Sequence, residues 1–174
     1  SKPSETESVE QTDAQDIYDT LTVTQKKDLN VFLSNFSEAF FEYYDSDSAD
    51  INALISFAFI HDIVNNNSLI RWTDSEMGIS ADRVDKTLNK YFGKSIPRSS
   101  TTEWYYDGEY YWKEAASGES YDYFSVAVKL IDLQDGTYRV DFNNYYAGYD
   151  SMDTKYYWYS EEDALYDQNC TLTE

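Results

Sequence analysis

His61 is the only histidine in the 174-residue chain, so a mechanism that uses imidazole as its base has one candidate. It follows Phe57 by one helical turn in a strongly apolar run. A partly buried structural ring is the expected role there. A Ser-His-Asp site would need partners that linear spacing does not locate. Asp45-Ser46-Asp47-Ser48-Ala49-Asp50 has the alternating oxygen donors that open a calcium-binding EF-hand loop. The sixth loop position must be Gly for the turn and here is Asp50; the twelfth must be a bidentate Glu and here is Ser56. A capped helix-to-helix turn is therefore expected, and no metal. Cys170 is the sole cysteine, which rules out an internal disulfide, and nothing beside it lowers a thiol pKa. Glu161-Glu162 has the form of a glycosidase dyad, but among 33 acidic residues such pairs arise by chance. No catalytic residue and no cofactor is assigned.

The aromatic residues carry more. Trp104, Tyr105, Tyr106, Tyr110, Tyr111 and Trp112 flank the turn Tyr106-Asp107-Gly108. Asp-Gly between period-two runs predicts a β-hairpin, because Gly enters the left-handed region without steric cost. With aromatic groups on both faces of one hairpin, one face can be core and the other must be covered or exposed, and tyrosine also suits a half-buried strand surface. Exposed aromatic patches bind partners, including sugars that stack on the rings. Trp104, Tyr105, Tyr110, Tyr111 and Trp112 are the candidate ligand-binding residues. A second hairpin is predicted at Gln134-Asp135-Gly136. There a three-residue loop pairs Leu130 with Val140 and Val128 with Phe142. Phe124, Val126, Val128 and Leu130 then share a face with Tyr138, Val140 and Phe142. The same geometry applied to the first hairpin pairs Trp104 with Tyr110 and sets Trp112 on their face, with Tyr105 and Tyr111 on the other.

The preceding elements must support these hairpins. Residues 1–20 are polar and acidic and are expected to be a tether, with one domain over 21–174. Leu29, Leu33, Phe36 and Phe40 make an apolar stripe on a helix from Thr24 to about Tyr44. A second helix over about 49–65 is apolar on nearly every side and belongs in the centre of the core, with Asp45–Ser48 as its cap and Asp50 in its first turn. Residues 69–72 suit a short strand. A third helix opens at Ser80, with Ile79 and Val84 as a hydrophobic staple, and closes at Gly93. A last strand over 155–159 and a capped helical turn from Ser160 are expected near the C-terminus.

The net charge is −20, which disfavours nucleic acid and anionic lipid as direct partners. No apolar run reaches the roughly 18 residues of a membrane span. A hydrophobic fraction of 41% is ample for a core. The tyrosine-rich, lysine-poor composition leans toward export.

The blocks Leu29-Asn30-Val31-Phe32-Leu33-Ser34-Asn35-Phe36-Ser37-Glu38, Leu54-Ile55-Ser56-Phe57-Ala58-Phe59-Ile60-His61 and Lys90-Tyr91-Phe92-Gly93-Lys94 resemble segments of uncharacterised secreted lipoproteins of Gram-positive bacteria. Tyr106-Asp107-Gly108-Glu109-Tyr110-Tyr111 and Asp135-Gly136-Thr137-Tyr138-Arg139-Val140 extend the likeness over most of 25–146. The resemblance implies anchoring outside the cell membrane through a lipidated cysteine upstream of residue 1. It implies no activity. The expected fold is α+β: three N-terminal helices packed on a C-terminal antiparallel sheet of four or more strands. That order is also similar to the NTF2-like cone, which hosts enzymes and binding domains alike. The expected function is a non-enzymatic module for a small molecule, a glycan or an envelope protein. The alternative is a small-pocket hydrolase or isomerase using His61.

Overall fold

The computed structural model describes residues 14–41, 44–116, 122–147 and 170–172. These form an α+β fold with three α-helices and two four-stranded antiparallel sheets. The chain enters through β1 (Gln15–Asp16), which pairs with Ile131 and Asp132, and a single 3-10 turn follows. The last residues of the expected tether therefore belong to the sheet. Half-buried Ile17 gives the reason, since its amide also donates to the Leu130 carbonyl. Residues 1–13 lie outside the described residues.

Helix α1 (Val23–Glu38) starts in a full capping box between Thr22 and Gln25. It ends about six residues sooner than its apolar stripe predicts. Phe40 takes a φ of 53°, and the Phe41 amide donates to the Phe36 carbonyl at 2.9 Å. This is a Schellman closure without the usual glycine, so composition gave no stop signal. Helix α2 (Ile51–Asn66) runs through the core as expected, burying Leu54, Ile55, Phe57, Ala58 and Phe59. Its cap is Asp50 itself, whose carboxylate accepts from the Asn52 amide; Asp45 instead closes its own turn with Asp47 and Ser48. Strand β2 (Ile70–Trp72) pairs with β3 (Glu76–Ser80), a strand that lies where only the lead-in to a helix was expected. Helix α3 (Ala81–Phe92) has the predicted Ser80 cap and a left-handed Gly93.

Strands β4 (Tyr105–Tyr106) and β5 (Tyr110–Glu114) complete one sheet in the order β2-β3-β5-β4. Strands β6 (Asp122–Asp132), β7 (Tyr138–Ala147) and β8 (Cys170–Leu172) join β1 in the other, ordered β1-β6-β7-β8. The helices thus meet two sheets instead of one, because the β2-β3 hairpin recruits the aromatic hairpin away from the C-terminal strands. The expected strand over 155–159, the capped turn from Ser160 and Glu161-Glu162 fall outside the described residues.

Both Asp-Gly glycines have positive φ, 106° at Gly108 and 89° at Gly136. The second hairpin keeps its three-residue loop and the Leu130–Val140 pair. Val128 does not face Phe142; a bulge between Ala127 and Lys129 puts Ala127 there. Leu130, Val140 and Phe142 consequently lie on the face opposite Phe124 and Val126. The first hairpin departs further. The Asp107 amide donates to the Tyr110 carbonyl, so the loop is the two residues Gly108 and Glu109, with Gly first as a type II′ turn requires. Tyr105 pairs with Trp112 and Tyr106 with Tyr111, replacing the expected Trp104–Tyr110 pair.

Candidate functional site

Register across the first sheet sorts the aromatic residues. One row reads Ile70, Ile79, Tyr111, Tyr106 across the four strands. Ile70, Ile79 and Tyr111 are buried and Tyr106 is half-buried, so this row faces the core. The next row reads Arg71, Gly78, Trp112, Tyr105 and faces outward. Trp104, two positions before Tyr106, joins the core at 1% exposure and donates its indole N–H to Ser56 Oγ. The expected partition is therefore corrected: Trp104 goes with Tyr111, and Tyr105 goes with Tyr110 and Trp112. The cause is the Asp107 side chain. Its Oδ1 accepts from the Glu109 and Tyr110 amides, and its Oδ2 accepts from Trp112 Nε1 at 2.8 Å. The Tyr110 amide first, then that of Glu109 and the indole, hold its carboxyl below the ordinary range.

Trp112 is fixed twice. Its edge is tied to Asp107, and its ring lies against the backbone of Gly78. A Cβ at position 78 would come within 2.6 Å of the indole. Glycine is what lets the ring lie down on the sheet. Tyr110 packs beside it with ring centroids 5.6 Å apart, and the Arg71 guanidinium covers Tyr110 at 4.1 Å. Tyr105, at the sheet edge, is 63% exposed. Against this aromatic face runs an open groove of about 330 Å³, lined by Trp104, Tyr105 and Trp112 and by Ser100, Thr101 and Thr102. Glu76, Glu103, Lys113 and Glu114 complete its wall. Three of the five candidate aromatic residues thus meet at one groove. Tyr110 stands behind Trp112, and Tyr111 supports the sheet from the core.

The glutamates and hydroxyl residues are the part of the site that sequence reasoning missed. The signal was available only through β3, since Glu76 reaches the groove by pairing with Glu114. Asn52 Nδ2 donates to Thr102 Oγ1 at 2.9 Å, which fixes the hydroxyl strip to α2. Among the described residues, buried Asn52 Oδ1 has no hydrogen-bond partner.

His61 lies elsewhere, at the meeting of α2 and α3. Its ring packs by Phe57 and Tyr91, and its side chain is 13% exposed. Nε2 stands 3.0 Å from the Tyr91 hydroxyl, to which Lys90 Nζ also donates at 3.2 Å. Nδ1 is 3.4 Å from Asp62 Oδ1. Asp62 itself is gripped by Arg83, whose Nε and Nη2 donate at 2.9 and 2.7 Å. Burial alone pushes the Asp62 carboxyl up, and the Arg83 and His61 hydrogen bonds overcome this and hold it low. Both Asp62 oxygens are engaged in a structural clamp between the two helices. Among the described residues no cluster of three or more His, Cys, Asp or Glu could hold a metal ion, and no helix is long and apolar enough to cross a membrane.

Comparison with protein-family models, with curated protein sequences and with solved structures returned no match. The geometry of the groove and of the His61 cluster is the basis for a functional reading.

Proposed function

We propose that this domain is a non-enzymatic binding module of the cell envelope and that its ligand occupies the groove beside Trp112 and Tyr105. One observation carries the reading: an indole laid flat on Gly78, locked by Asp107, next to a groove rimmed with hydroxyl and carboxylate groups. A rigid aromatic plate with polar neighbours suits a ligand that has both an apolar face and hydrogen-bonding groups, as a sugar does. Residues before β1 would act as a spacer to a lipid attached upstream of residue 1. The polar, acidic composition of that segment supports a spacer, and the resemblance over 25–146 supports the outer face of the membrane as the location. Co-sedimentation with purified Gram-positive cell-wall polymer tests this. Trp112→Ala and Tyr105→Ala should each lower the bound fraction, with about a tenfold or larger loss of affinity at Trp112. Undiminished binding by both variants would refute it.

A second reading, that of a small-pocket hydrolase or isomerase with an NTF2-like cone, draws on the His61 cluster. Its supporting observation is the row Asp62, His61, Tyr91, Lys90, each within 3.4 Å of the next. The binding reading is preferred because Arg83 occupies both Asp62 oxygens and the Tyr91 hydroxyl occupies Nε2. His61→Gln discriminates: lowered stability with intact cell-wall binding favours the module, and loss of a hydrolytic activity would favour the enzyme.

A further inference from the structure

On the reading that the aromatic groove is the ligand site, we infer that its ligand is an amine-bearing glycan. The sugar ring lies on Trp112, and its ammonium group lies between Glu76 and Glu114. These two glutamates are directly opposed across β3 and β5. Side chains so paired have Cβ atoms about 4.5–5.5 Å apart, and like charges there repel. Among the described residues neither carboxylate has an ion-pair partner. Glu103 adds a third carboxylate to the same wall. Lys113, the one cationic residue of the groove among the described residues, directs its Nζ onto the Trp104 ring at 4.9 Å. Among the described residues the groove wall therefore has three carboxylates against one ammonium, a net negative charge beside an indole, a pairing that selects ammonium groups by charge and by the ring quadrupole together. The ring and the hydroxyl strip of Ser100, Thr101 and Thr102 call for more than a bare amine. They suit a pyranose whose apolar face stacks and whose hydroxyls bond the threonines. Gly78 becomes a positioning residue, since it sets the height of the Trp112 plate above the sheet.

The test is calorimetric titration of the whole chain with two tetrasaccharides of equal length, β-1,4-linked glucosamine and its fully N-acetylated counterpart. The free-amine form should bind about tenfold tighter at moderate salt. The double change Glu76→Gln with Glu114→Gln should abolish that preference and leave the weaker acetylated binding unchanged. Asp19→Asn with Asp28→Asn, which removes two charges elsewhere, should leave the preference intact. Gly78→Ala should weaken both sugars alike. Spermidine, an amine without a ring, should compete poorly. Equal affinity for the two sugars would overturn the amine inference and leave the groove reading standing. Equal losses in the two charge doubles, or strong competition by spermidine, would mark simple attraction to a polyanion and overturn it too. Binding of neither sugar, with Trp112 undisturbed at millimolar concentration, would remove the glycan inference; cell-wall co-sedimentation then decides the groove reading separately.

Discussion

Gly78 and Asp62 show how single residues set two different properties. Gly78 has no Cβ where the indole of Trp112 must rest. Gly78→Ala should push that ring outward and destabilise the domain by about 1–3 kcal/mol, the usual range for overpacking. A red-shifted tryptophan emission together with a lowered urea midpoint would verify it. Asp62 is a packing matter. Its side chain is 1% exposed, and Arg83 provides the compensating charge. Asp62→Asn should cost roughly 2–3 kcal/mol, below the range for a fully buried pair because Arg83 stays partly solvated. The folded-state pKa of Asp62 is depressed below its ordinary 3.8. Its stabilisation is thus complete above the unfolded carboxyl value and is lost as pH falls through the folded one. Urea unfolding between pH 6 and pH 2 should show a steeper acid loss in the wild type than in Asp62→Asn. Neither role was legible in sequence. Gly78 falls between the strand expected over 69–72 and the helix expected from Ser80, and no partner for His61 was located by spacing.

Helix α1 explains why elements can be found correctly and still be misread. Its apolar stripe predicts a helix packed by Leu29, Leu33, Phe36 and Phe40, and the helix is present. Yet its buried positions include Asn30, Ser34 and Asn35, and Phe40 lies beyond its end. Asn30 Oδ1 accepts from the Ala127 amide at 2.8 Å, and Ser34 Oγ accepts from the Ser125 amide at 2.9 Å. These side chains satisfy backbone donors of β6 beyond the reach of the two-residue β1, so α1 covers a sheet edge. The bulge at Val128 lies beside the Ala127 contact. It broke the face matching expected for the second hairpin, because alternation alone does not reveal an extra residue in one strand. Asn30→Ala should leave the Ala127 amide without its partner and cost about 1–3 kcal/mol. Chemical denaturation measures that cost, and faster hydrogen exchange at Ala127 would localise it. The first hairpin teaches the same lesson: Asp-Gly located the turn, while the Asp107 side chain decided its length and so which tyrosines reach solvent.

For the whole molecule, composition and periodicity were enough for the α+β class, the central place of α2 and the ends of α3. The division into two sheets was hidden in residues 76–80, where Met77 and Ile79 are buried but Gly78 interrupts the strand pattern. The lower limit of the domain also moved, since Gln15 and Asp16 pair with β6. Truncation before Ala14 should leave the melting midpoint within about 2 °C, whereas truncation before Thr22 should lower it by more than about 4 °C, as expected when about 1–2 kcal/mol or more is lost from a domain of this size. The central claim is that the Trp112 groove is where this protein meets its ligand. Its most direct test is an amide and indole correlation spectrum recorded while the protein is titrated with soluble glycan fragments of Gram-positive cell wall. The expected result is progressive movement of the Trp112 and Trp104 indole N–H signals with those of Glu76, Tyr105 and Glu114, and quiet signals around His61. Movement confined to His61, Tyr91 and their neighbours, with the Trp112 indole unmoved, would contradict it.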